Sequence, residues 1–268
     1  MKYMGSKNRI ASYIAQYIND IAFIHDITDY YEPFMGGCSV GEAVRVPNRH
    51  LSDKNKHVVA LFKKVQTDMF DFKFVTREEW YKVKDDRTEN KIYPEWFTGW
   101  VGIACSFRGR VFEGNAGEYE DSISKQIKNP QLQCYNSLLK EIEHLQGIDF
   151  QCRTYDEIGE PYHSIIYCDA PYRGGVKGYK INGTKKFDFE AYDEWLIKQS
   201  KNNLVLISEY QMTGKHVKDF IQLDEWTLNK SIGAGQTDDE TSIERLYYVK
   251  DGWLTKEYFE KNDEDDDF

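Results

Sequence analysis

The fold class predicted by this sequence is α/β, with a mostly parallel, doubly wound sheet, and three observations carry that prediction. Strand-like and helix-like segments alternate through roughly the first 70 residues, the pattern of successive βα units. The run Ile165-Ile166-Tyr167-Cys168 is apolar without alternation, as in a strand covered on both faces. Two late segments, "LDEWTLNKSI" and "SIERLYYVK", flank the loop "GAGQTDDET" and read as a closing antiparallel hairpin.

The elements follow in order. "GSKNRIASYIAQYIND" places Ile10, Ile14, Ile18 and Ile21 at helical spacing, with Ser6 as the expected N-cap. "DYYEPF" reads as a strand, and "GGCSVGEAV" as a tight turn opening a helix. "RHLSDKN" gives a short strand ending at Asp53, and "KHVVALFKKVQTDM" the next helix. The alternation breaks between about 72 and 130, where charge, aromatics and glycine crowd together and the chain reads as an insertion. A helix is expected near 121–146, then the strand "GIDFQC" with Tyr155 and Asp156 at its end. The buried run 165–168, the helix "FDFEAYDEWLIKQS", the strand "NNLVLISEY" and the hairpin complete the list. The domain reading is a catalytic, cofactor-binding domain over 1–75 and 146–255, an insertion over 76–145, and an acidic tail over 256–268.

Composition narrows the function classes. No apolar run reaches the length of a membrane span and no signal-peptide core is present, so a membrane protein is not expected. Five scattered cysteines without CxxC spacing, and six histidines without an HxxxH pair, point to a reduced, cytoplasmic protein with no metal site. The net charge of −10 opposes a nucleic-acid partner only as an average, because the terminal "EKNDEDDDF" contributes much of it. Basic residues cluster locally at Lys2, Lys7 and Arg9, at Arg108 and Arg110, and at Arg173, Lys177, Lys180, Lys185 and Lys186.

Three motifs carry chemistry. In "EPFMGGCSVG", Gly36 and Gly37 sit where a ligand can approach the backbone closely, although the same pair also serves a plain strand-to-helix turn. The motif is not GxGxxG, which disfavours NAD. Asp53 at the next strand end can take a ribose hydroxyl, or it can cap the following helix. "KYMGSK" pairs Tyr3 with Lys7 across a glycine, and alone reads as a solvated basic end.

"SIIYCDAPYRG" is the most specific of the three. Asp169 stands at the carboxyl end of a buried strand, where ligands bind in an open parallel sheet. Pro171 biases Ala170 towards an extended backbone, so the Asp169 carboxylate and the Ala170 carbonyl can both accept from one NH2 group. Tyr172 offers a flat face for the ring that carries that amine. Such a site suits the exocyclic amine of a nucleobase.

At this point the sequence resembles the Dam-like, D12-class DNA adenine-N6 methyltransferases, in particular their phage and prophage members. "KYMGSK", "EPFMGGCSV", "SDKN", "TYDEI", "SIIYCDAPYRG", "LVLISEY" and "SIERLYYV" follow the family's motif order over most of the chain. "ACSFRGRVFEG" is similar to a glycine-, phenylalanine- and base-rich stretch in those members. The resemblance implies a Rossmann-like methyltransferase sheet with an inserted target-recognition subdomain, S-adenosyl-L-methionine as cofactor, and double-stranded DNA as partner. By the same resemblance Tyr3, Lys7, Glu32, Phe34, Gly36, Gly37, Cys38, Ser39, Asp53, Tyr155 and Asp169 hold the cofactor. Asp169, Ala170, Pro171 and Tyr172 hold a target adenine flipped out of the duplex. Arg108 and Arg110, interleaved with Phe107 and Phe112, are expected on DNA, as are Arg173, Lys177 and Lys180. The same charges also read as solvated surface. A monomer or weak dimer is expected in a bacterial or phage-infected cell, and GATC is the target by family analogy.

One position departs from the family pattern, D/N/S-P-P-Y/F/W: Ala170 replaces the first proline. Alanine keeps the accepting carbonyl and gives up ring rigidity worth about 0.4–1 kcal/mol. The expectation is an active enzyme, with a catalytically impaired or inactive relative that binds cofactor and DNA without turnover as the alternative. Other amines, such as cytosine N4 or an RNA base, suit the same two-acceptor site.

Overall fold

The computed structural model describes residue 3 and residues 5–173, 187–229 and 241–253. Helix α1 (Ala11–Ile24) buries Ile14, Ile18 and Ile21 on one face, as their spacing requires. Its start differs from expectation. The N-cap position is Ile10, without a side-chain cap, because residues 7–10 form a turn in which Ile10 and Ala11 both donate to the Lys7 carbonyl. Ser6 lies upstream of that turn and shares a 2.6 Å hydrogen bond with Ser39.

Strand β1 (Asp29–Glu32) leads to β2 (Asn48–Asp53), but the segment between them holds turns in place of the expected helix. Two helical hydrogen bonds form there, Glu42 to Cys38 and Val44 to Val40, and the turn goes no further. Val40, Val44 and Val46 are all buried, so the whole segment is drawn flat against the sheet. A Cβ at Gly41 would lie 2.2 Å from Leu51 on β2. The glycine turn therefore does not present a helix N-terminus to a ligand.

After α2 (Lys56–Thr67) come α3 (Arg77–Asp86), α4 (Glu95–Ile103) and the two-residue strands β3 (Tyr119–Glu120) and β4 (Ile127–Lys128). Trp80 and Trp100 from this stretch are buried in the same core as Leu61, Phe62 and Val65 of α2. Helix α5 (Pro130–Leu145) starts nine residues later than expected; Asn129 caps it by accepting from the Leu132 amide at 2.9 Å, with Pro130 in the first turn.

Strands β5 (Ile148–Cys152) and β6 (Ile165–Cys168), helix α6 (Phe189–Ser200), and strands β7 (Leu204–Glu209), β8 (Phe220–Asn229) and β9 (Thr241–Val249) complete the chain. The seven-stranded sheet has the order β5-β2-β1-β6-β7-β9-β8. Its first five strands pair in parallel, and β9 and β8 add antiparallel, with an irregularity in β8 between Gln222 and Asp224. Every residue of β6 and β7 is buried. Among the described residues no helix is long and apolar enough to cross a membrane. All five cysteines are free thiols, and only Cys152 is exposed.

Candidate active site

In a doubly wound sheet the crevice for a ligand lies at the carboxyl ends of the strands, where the winding reverses. That point falls between β1 and β6, which are neighbours although well over a hundred residues separate them. β1 ends on Glu32, β2 on Asp53, β6 just before Asp169, and β7 on Glu209, while Tyr155 follows β5 in a single 3-10 turn. β9 runs the opposite way beside β7, with Glu209 paired to Arg245, so the first half of β9 brings Glu244 to the same rim.

The glycine turn is held from β2. Asp53 accepts from the Gly36 amide at 3.2 Å and from the Asn55 amide at 2.8 Å, while Asn55 caps α2. Asp53 is therefore a clamp on the turn and not the helix cap. Gly36 has φ of +44°, and a Cβ there would stand 3.0 Å from the Tyr3 ring. Gly37 and Cys38 are buried behind it, and Ser39 donates to Asn8 at 2.6 Å, tying the turn to the N-terminal segment. Phe34 stacks on Tyr155 at 5.7 Å, and Tyr192 and Trp195 of α6 meet Tyr155 edge-on.

The rim is acidic. Glu32 is buried, accepts from the Tyr30 hydroxyl at 2.8 Å, and is pushed up to about 8 by burial. Burial likewise raises Glu209 to about 7, and raises Glu244 and Asp53. Lys7, 6% exposed, lies 2.7 and 2.8 Å from the two Asp169 oxygens. Its ammonium also donates to the Gly5 carbonyl at 3.1 Å and stands 4.8 Å from the Tyr172 ring centroid. Tyr172 donates its hydroxyl to Glu244 at 2.5 Å and packs edge-on against Tyr210. Ala170 is 7% exposed and packs with Ile166, Tyr192 and Ile207, while Pro171 is half-buried.

The expected DNA contacts divide. Arg108 and Arg110 are exposed on the loop after α4; Arg108 has φ of +56° and lies over the Phe107 ring, and Arg110 faces Glu113 at 3.6 Å. Arg173 is placed otherwise: its guanidinium is 7% exposed, bonds Asp193 of α6, and lies over Phe189. It ties the loop after β6 to α6. Lys177 and Lys180 lie outside the described residues.

Residues 3–232 match the model of the D12 class N6 adenine-specific DNA methyltransferases. The chain belongs to this family. It is 23% identical over 206 residues to the retron Ec67 DNA adenine methylase of Escherichia coli, a match covering 70% of this chain and 68% of that protein. It is 23% identical over 220 residues to the type II methyltransferase M.MjaIII of Methanocaldococcus jannaschii, covering 72% of this chain and 75% of that protein. As a D12-class enzyme the chain is an adenine-specific DNA methyltransferase, and its family requires a methyl donor.

Within this D12-class site the sequence reading missed Glu209 and Glu244. Glu209 accepts from the Arg173 amide at 3.0 Å and the Tyr210 amide at 2.8 Å, fixing the backbone just after Tyr172. The acidic end of an otherwise apolar strand, "LVLISEY", is the signal that marks Glu209; it repeats the pattern that singled out Asp169. Glu244 has no such signal, because only the antiparallel pairing of β9 brings it to the rim.

Proposed function

We propose that this D12-class methyltransferase transfers a methyl group from S-adenosylmethionine to N6 of an adenine flipped out of duplex DNA. The observation carrying the proposal is the convergence of Asp169 and Tyr172, after β6, with the glycine turn after β1 at the point where the sheet winding reverses. S-adenosylmethionine, when bound, supplies an electrophilic methyl group on a positively charged sulfonium. The residues present fit such a cationic group: Glu32 and Asp53 end the adjacent strands β1 and β2 and Asp169 follows β6 beside them, Gly36 admits the Tyr3 ring against the turn, and Phe34 with Tyr155 offers an aromatic wall. Lys7, Gly37, Cys38 and Ser39 complete the cradle.

On the target side, the Asp169 carboxylate and the Ala170 carbonyl accept the two hydrogens of the adenine amine. Drawing both N–H hydrogens out of the ring plane localises the nitrogen lone pair for attack, and the methylated nitrogen then loses one of those hydrogens as a proton to solvent. Tyr172 stacks on the base, and stacking worth about 1–3 kcal/mol offsets much of the few kcal/mol that flipping costs. The remaining advantage is positional, and near-attack geometry alone supplies about 7–11 kcal/mol. Lys7 holds both Asp169 oxygens, and the carboxylate's remaining lone pairs are the ones open to the incoming amine. Residues 76–145 form the target-recognition region, with Arg108 and Arg110 on its exposed loop.

Ala170 favours a second reading, an enzyme slowed at this step, since it stands where the family pattern has proline. The test is transfer of labelled methyl from S-adenosylmethionine to unmethylated duplex DNA, followed by digestion and nucleoside identification. N6-methyladenine with the parent, and at least a thousand-fold less with Asp169→Ala, is expected. Label on cytosine N4 redirects the substrate assignment. Turnover by Asp169→Ala near the parent rate ends it. Silence of the parent with restoration by Ala170→Pro establishes the slowed enzyme.

A further inference from the structure

The ring proposed to stack on the target base is held from outside its own loop. Tyr172 reaches across to β9, where Glu244 accepts its hydroxyl proton at 2.5 Å. Glu244 is 8% exposed, an uncommon place for a carboxylate unless it is hydrogen-bonded. Lys7, the same lysine that bridges the Asp169 oxygens, stands 3.9 Å from Glu244, and the Asp169 charge also acts on it. Lys7 in turn lies over the Tyr172 ring. Asp169, Lys7, Tyr172 and Glu244 thus form one closed circuit joining the N-terminal segment, the loop after β6, and β9.

We infer that Glu244 is a positioning residue of the methyl transfer, acting through the Tyr172 hydroxyl to hold in place the ring on which the target base stacks. This rests on the reading of Asp169 and Tyr172 as the amine pocket. Tyr172 has two side-chain torsions to fix; Tyr210 meets the ring edge-on and the Lys7 ammonium stands over its face. The bond to Glu244 holds the far end of the ring and limits its swing about the first side-chain torsion, while Tyr210 at the edge and Lys7 over the face limit its turn about the long axis. Burial and the nearby charges of Asp169 and Glu244 push the Tyr172 hydroxyl well above its ordinary range, so it remains the donor. Glu244 touches neither the base nor the donor in this arrangement, and its effect passes entirely through Tyr172.

The inference predicts a coupling, measured in the methyl-transfer assay with the full chain. Glu244→Ala is expected to lower kcat about ten- to a hundred-fold, the range for losing a hydrogen bond to a charged group, with the KM for S-adenosylmethionine within about two-fold of the parent. Tyr172→Phe, which keeps the ring, is expected to lower kcat similarly. The double variant should be no slower than the worse single variant, because both remove one bond. Glu244→Gln retains an acceptor and should recover to within about five-fold of the parent; it also serves if Glu244→Ala does not fold. With an active parent, multiplying losses in the double variant, or a Gln variant as slow as the Ala variant, overturns the inference and leaves the amine pocket standing. A parent that transfers no methyl to adenine overturns the pocket reading, and the inference falls with it.

Discussion

Single residues set the charge of this site, and the proton inventory follows from them. Glu32 ends β1 buried, and its pKa near 8 means that it is mostly protonated at pH 7 in the ligand-free protein. A bound cation reverses that preference, since a positive charge within a few ångströms stabilises the carboxylate. Binding of S-adenosylmethionine at pH 7 is therefore expected to release up to about one proton. Calorimetric titration in two buffers of different ionisation enthalpy at the same pH reads that number directly. Heats that do not depend on the buffer would place Glu32 away from the cationic group. Asp169 differs from Glu32 because Lys7 already supplies a positive partner at 2.7 Å. Glu32 ends β1 without a cationic partner among the described residues, and Asp169, just after the neighbouring β6, has one.

At the scale of elements, the site depends on close approaches that only certain residues permit. Helix α4 crosses α2 at Gly99, where a Cβ would stand 2.1 Å from the His57 carbonyl oxygen, a backbone atom unable to yield alone. Gly99→Ala is expected to push the two helices apart and cost about 1–3 kcal/mol or more, read as a lower urea midpoint at unchanged slope. An unchanged midpoint would show that the helices slide without penalty. Gly99 was legible in "FTGWVG" only as a glycine within an aromatic run; its purpose appears once α2 lies across it. Periodicity revealed α1 and the apolar β6 because their signals are local. It failed over "GGCSVGEAV", where Val40 and Val44 are buried at helical spacing although the chain forms only short turns, since the pattern of burial is common to both. Asn129 and Pro130 signalled the start of α5 in the sequence, yet the helical reading ran past them upstream. Glu244 and the Arg173–Asp193 pair stayed hidden because partners some 20 to 70 residues apart leave no local trace.

Across the whole molecule these buried acids make a common demand on stability. Glu32 near 8, and Glu42 and Glu209 near 7, all hold protons in the folded chain that the unfolded chain releases near the ordinary value of 4.5. Such groups contribute fully below that ordinary value, and their contribution is lost as pH rises through the folded values. His57, whose pKa burial lowers below 6.5, works in the opposite sense but only on the acid side of neutrality. A window from pH 7 to 8.5 therefore leaves His57 behind and takes in the carboxyl groups. The buried thiols add a smaller loss of the same sign toward its upper end, so the Glu32→Gln comparison is what separates the carboxyl's share. The ligand-free protein is expected to melt a few degrees lower at pH 8.5 than at pH 7 by scanning calorimetry. Glu32→Gln should flatten that slope, because an amide cannot ionise. Saturating S-adenosylmethionine should flatten it too, for a different reason: the bound cation draws the same carboxyl into its charged form at both pH values. A melting temperature that is level or rises across the window would mean that these carboxyls ionise freely in the folded chain. In that case the acidic rim would be solvated surface and not a pocket prepared for a cation.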